Sequence, residues 1–73
     1  MRPGLLPVLE WTRYVPRGNT SRVRAFIVRG AVEYELCAEG GQMVIRRTVL
    51  VISEAARGRV SDAQEIWKAI ASA

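Results

Sequence analysis

The stretch RVRAFIVRGAVEYELCAEGGQMVIR, residues 22–46, decides the fold. In its first part Val23, Ala25 and Ile27 alternate with Arg22, Arg24, Phe26 and Val28, the two-residue period of a strand. Beyond Gly30, Val32, Tyr34 and Leu36 alternate with Glu33, Glu35 and Cys37. A tight turn at Arg29-Gly30-Ala31 pairs the two runs as a hairpin. Parity then puts Val23, Ala25, Ile27, Val32, Tyr34 and Leu36 on one face, with Arg22, Arg24 and Phe26 on the other. Gly40-Gly41 is the clearest turn signal in the chain. Folding back there sets Ile45 opposite Leu36 and Arg46 opposite Glu35. Glu35 is then expected between Arg24 and Arg46, each opposite-charge pair contributing about 0.2–1 kcal/mol.

The flanks extend this pair of hairpins. Residues 8–15 hold Val8, Trp11, Thr12, Tyr14 and Val15 and read as a strand, with Leu9, Trp11 and Val15 on its core side. Pro3 and Pro7 make residues 1–7 an extended arm, because proline cannot donate to a ladder. Residues 53–60 read as a loop, with one helical turn over 53–56. Ser61-Asp62-Ala63-Gln64 fits a capping box, and Ala63, Ile66, Trp67 and Ile70 recur on one helical face. The expected fold is α+β. It is a four-stranded antiparallel meander over about 8–15, 22–29, 31–38 and 43–52, with an amphipathic helix over about 62–72 packed on one face. Residues 8–73 form one small domain, with Trp67 at the centre of the helix contact. The open edges of that meander are its first and fourth strands, and an open edge invites a second copy or another partner.

Composition narrows the function. The 73 residues carry a formal net charge of +4, and ten of the eleven cations are arginine. Arginine, alanine, valine and glycine in these proportions fit a GC-rich bacterial genome, and a plasmid- or phage-borne accessory protein is one expectation. The guanidinium fork also suits phosphate and carboxylate, so an acidic partner is expected, either nucleic acid or protein. With no histidine, the usual nucleophile-and-base sets lack their base, and Cys37 is one nitrogen or sulfur ligand of the about four that a zinc site needs. Phosphate-loop and dinucleotide glycine motifs do not occur. No enzyme activity, cofactor or metal is expected, and Cys37 reads as a small, partly buried residue. A lone cysteine and a longest apolar run of four residues, Val49–Ile52, lead us to expect a cytoplasmic chain without a membrane partner.

The candidate nucleic-acid contacts are Arg13, Arg17, Arg22, Arg24, Arg46, Arg57 and Arg59. Arg22, Arg24 and Arg46 beside Phe26 would make a stacking platform for a single strand. Arg57-Gly58-Arg59 resembles the core of a minor-groove arginine hook. Glu33 and Glu35 neutralise part of the platform, so the loops near Arg17 and Arg57–Arg59 are expected to hold the stronger basic surface. Tyr14, on the outer face of the first strand, and Phe26 are the candidate interface aromatics. A nucleic-acid-associated regulatory or accessory role is placed first. A protein-interaction module acting through an edge strand or an exposed aromatic is placed second, with homodimerisation also expected as an option.

Overall fold

A computed structural model describes residues 9–18 and 20–72. The arm expected over residues 1–7 lies outside them, as does Val8 of the expected first strand. The elements are β1 (Thr12–Arg13), β2 (Ser21–Arg29), β3 (Val32–Glu39), β4 (Gln42–Thr48), β5 (Ile52–Gly58) and α1 (Val60–Ala71). All strand pairs are antiparallel, in the order β1-β5-β4-β3-β2.

Both glycine hairpins form as their sequence dictates. Arg29 pairs with Val32 across Gly30-Ala31, where Gly30 takes the positive φ of 61° that the first position of a type II′ turn requires. Glu39 pairs with Gln42 across Gly40-Gly41, with both φ angles positive at 55° and 80°, as in a type I′ turn. Leu36 lies opposite Ile45 and Glu35 opposite Arg46, the expected register.

Among the described residues the sheet has five strands, not four. The segment expected as a loop or helical turn is β5, which pairs Ile45 with Ala55 and Arg46 with Glu54. Its Ser-Glu-Ala-Ala-Arg-Gly sequence has weak strand propensity, but small residues are what this position needs. The helix crosses β4 and β5, and Ala55 and Ala63 are both buried there. Ala56 sits at an irregularity in the β4–β5 ladder with φ of 57°, a left-handed conformation unusual for alanine. The fourth strand therefore stops at Thr48 rather than running to 52. Val49, Leu50 and Val51 form the turn into β5, and Leu50 is 95% exposed.

The first strand also departs from the meander. β1 pairs with β5, so it forms the edge opposite β2 rather than pairing with it. It is shorter than expected, although the Tyr14 amide adds a bond to the Ile52 carbonyl. The connection from β1 to β2 must cross the whole sheet. It does so on the face opposite the helix, where Tyr14 and Arg17 bind side chains of β3 and β5. β4 is thus interior, and among the described residues the sheet's edges are β1 and β2.

The core lies between α1 and one sheet face. Tyr34, Leu36, Met43, Ile45, Ala63 and Ile70 are buried, with Leu9, Trp11, Ala25, Ile66 and Trp67 packed against them. Trp67 is half-buried, so Ile70 and Ala63 are the centre of the helix contact. Trp11 reaches over Arg47, 4.3 Å from guanidinium carbon to ring centre, and meets Tyr34 at 6.2 Å. Val15, expected on the core side, is exposed. A bulge between Val23 and Ala25 breaks the expected β2 alternation. Val23 pairs with Cys37 and Arg22 with Ala38, so Val23 turns away from the helix and Arg22 turns toward it. The helix begins at Val60 with Arg59 as N-cap, and no side chain caps it. Ser61, expected as the N-cap of a capping box, therefore falls two residues too late. No helix among the described residues is long and apolar enough to cross a membrane.

Candidate functional site

The face opposite the helix carries a buried ion network. Glu39 on β3 and Glu54 on β5 are only 4% and 5% exposed. Burial costs a carboxylate its hydration unless donors replace the water. Arg57 supplies them to both, with Nε 2.7 Å from Glu54 Oε2 and a terminal nitrogen 3.0 Å from Glu39 Oε1. Arg17 donates to Glu54 Oε1 at 2.9 Å, and the Tyr14 hydroxyl donates to Glu39 Oε2 at 2.5 Å. Arg46 lies over the Tyr14 ring, 3.2 Å from Glu35 and 3.8 Å from Glu39. Its Nε is buried with no hydrogen-bond partner among the described residues.

The protonation states follow from these contacts. Burial alone would raise the Glu39 carboxyl, but hydrogen bonds from Tyr14, Arg57 and Ser21 outweigh it and hold its pKa below the usual value. The hydrogen bond from Arg57 lowers Glu54, against burial and with help from Arg17. The bond to Glu39 raises the Tyr14 phenol. Cys37 is fully buried and burial pushes its thiol pKa up, so it is held as the weakly nucleophilic thiol.

This network reassigns most of the candidate residues. Tyr14, expected as an exposed interface aromatic, is half-buried and tied to Glu39. Arg17 and Arg57, expected to form the basic loop surface, both bind Glu54, and Arg46 pairs with Glu35. The three arginines and three glutamates cancel, so the net charge of +4 lies outside the network. Arg13 is exposed on β1 and Arg22 and Arg24 on β2, at opposite edges of the sheet. Four strand spacings of ~4.8 Å separate those edges, roughly 19 Å. Arg59 is exposed at the start of the helix. The expected platform is likewise divided. Phe26 and Arg46 share the network face, whereas Arg22 pairs with Ala38 and Arg24 lines a 460 Å³ groove with Leu36, Ala38, Met43, Val60 and Gln64 on the helix face.

What the fold does gather is the open edge of β2. This strand has nine residues and pairs on one side with β3. The loop-closing pair Arg29–Val32 exchanges both its backbone bonds, so Ile27 and Ala25 also turn theirs to β3. The N–H and C=O groups of Phe26 and Val28 therefore point outward. Val23, Phe26 and Val28 are about half exposed, at 48%, 55% and 51%, and stand on the network face. Arg22 and Arg24 stand on the other side of the strand, with no ion pair among the described residues. The sequence points to Phe26, Arg22 and Arg24 but not to Val23 and Val28, because a four-stranded meander makes β2 an interior strand. The signal available was Val28 beside Phe26, two apolar residues of opposite parity to the core set. Comparison with known proteins finds no family model, no curated protein and no solved structure that matches the chain.

Proposed function

We propose that this chain is a non-catalytic binding module, working in the cytoplasm, that captures an extended segment of another protein along the free edge of β2. The observation that carries this reading is the row of outward-pointing backbone groups at Phe26 and Val28, flanked by the half-exposed Val23, Phe26 and Val28. An added strand gains its affinity from such backbone groups and its selectivity from the alternate side chains beside them. The non-catalytic part rests on the absence of histidine and the buried, protonated Cys37. The cytoplasmic part rests on that same unpaired thiol.

Selection of extended peptides from a display library tests the proposal. Val28→Pro removes an outward donor while leaving the bonds to β3 in place. Selected peptides are expected to bind the native chain and to lose at least ten-fold in affinity for Val28→Pro, with circular dichroism unchanged. Peptides that bind both chains equally would contradict it. The competing reading is a nucleic-acid-associated accessory protein, favoured by Arg22, Arg24 and Arg59, which form no ion pair among the described residues, at a net charge of +4. It predicts oligonucleotide binding whose affinity falls steeply with salt.

A further inference from the structure

The two sides of β2 differ in chemistry, and this identifies the partner more closely. The inference rests on the edge-capture reading above. On the network side the strand offers Ser21, Val23, Phe26 and Val28, which are apolar after the first residue. On the helix side it offers Arg22 and Arg24 at one end, then Ala25 and Ile27. Arg29 ends that row, with its guanidinium 2.7 Å from the Ala71 carbonyl at the helix C-terminus. The geometry points to an extended partner segment that alternates apolar and acidic residues. Its apolar side chains lie beside Val23, Phe26 and Val28, and its carboxylates lie beside Arg22 and Arg24.

Two features of the strand select this occupant over a second copy of the chain. Residues 21–29 contain three arginines and no acid, so pairing β2 with itself would gather six cations at one seam. Like charges brought together across a strand pair are destabilising. The bulge at Arg24 twists the edge, one of the devices that blunt pairing between identical edges. Neither device opposes a strand of opposite charge. Period-two alternation also converts the division of β2 into a division of the partner, because its neighbouring side chains must fall on the same two faces.

The test uses the full chain and three labelled octapeptides that alternate valine with glutamate, serine or lysine, followed by fluorescence anisotropy. The glutamate peptide is expected to bind at least ten-fold tighter than the serine peptide. In Arg22→Glu/Arg24→Glu the order should reverse, with the lysine peptide binding tightest. Both residues are exposed, and Arg22→Gln/Arg24→Gln, which should bring the glutamate and serine peptides level, keeps the test sound if the first variant misfolds. Equal binding of the glutamate and serine peptides, with both lost in Val28→Pro, would overturn the acidic partner and leave edge capture standing. Binding untouched by Val28→Pro would overturn both. A dimer in sedimentation that Val28→Pro dissociates would show that the edge takes a second copy and overturn the inference. So would a dT12 oligonucleotide that displaces the glutamate peptide and loses its own binding in the double variant.

Discussion

Arg57 is the residue on which the polar face turns. It holds Glu39 and Glu54 at once, and all three side chains are largely removed from water. Removing one partner of a buried pair costs about 3–5 kcal/mol, because it strands the remaining charge. A core this small supplies only about 3–5 kcal/mol in all. Arg57→Ala is therefore expected to be largely unfolded at 25 °C by circular dichroism, and a urea midpoint near that of the native chain would refute the assignment. Leu50→Ser supplies the contrast: at 95% exposure it should change stability by less than about 0.5 kcal/mol. The network also sets the pH response. Glu39 and Glu54 have folded pKa values below their unfolded ones, so their stabilisation is present above the unfolded carboxylate range, about 4.3, and is lost as pH falls through the lower folded values. Tyr14 runs the other way: its stabilisation is present below its unfolded value of 10.0 and is lost as pH rises through the raised folded value. Urea titrations at stepped pH should show stability dropping below about pH 4. Glu54→Gln should flatten that drop while lowering stability at neutral pH.

At the scale of elements, two local conflicts between sequence and backbone make direct predictions. Arg59 occupies the N-cap without a side-chain bond to the helix. Arg59→Ser should stabilise the chain by about 0.5–2 kcal/mol by satisfying one free amide of the first turn. Ala56 holds a left-handed conformation, which costs an alanine about 1–2 kcal/mol. Ala56→Gly relieves that strain but adds freedom to the unfolded chain, so a gain of at most about 1 kcal/mol is expected, and Ala56→Val should be clearly destabilising. Thermal melts check both. The Gly30 and Gly40-Gly41 hairpins were legible because glycine alone makes those turns easy, and the helix face was legible from Ala63, Ile66, Trp67 and Ile70. β5 was not legible, because Ser53, Ala55 and Ala56 are small to admit the helix and so look like loop residues. Arg24 hid the β2 bulge, since nothing in Arg-Val-Arg-Ala distinguishes a bulged strand from a regular one.

For the whole molecule, the decisive event is where β1 goes. Its pairing with β5 sends Tyr14 and Arg17 across the network face, which covers the ion network and, among the described residues, leaves β2 with a free edge. Composition could not reveal this. Eleven cations against seven acids suggested a basic surface, whereas tertiary pairing neutralises three of the arginines and sends Arg13 and Arg24 to opposite edges. What remains is a strand with apolar side chains on one side, arginines on the other and unpaired backbone between. Amide hydrogen exchange along β2, read by NMR without and with the valine–glutamate octapeptide, tests this most directly. The account predicts that Ala25, Ile27 and Arg29 are protected in the free chain, that Phe26 and Val28 are not, and that the peptide protects both. Protection of Phe26 and Val28 in the free chain, or no protection when the peptide is added, would contradict it.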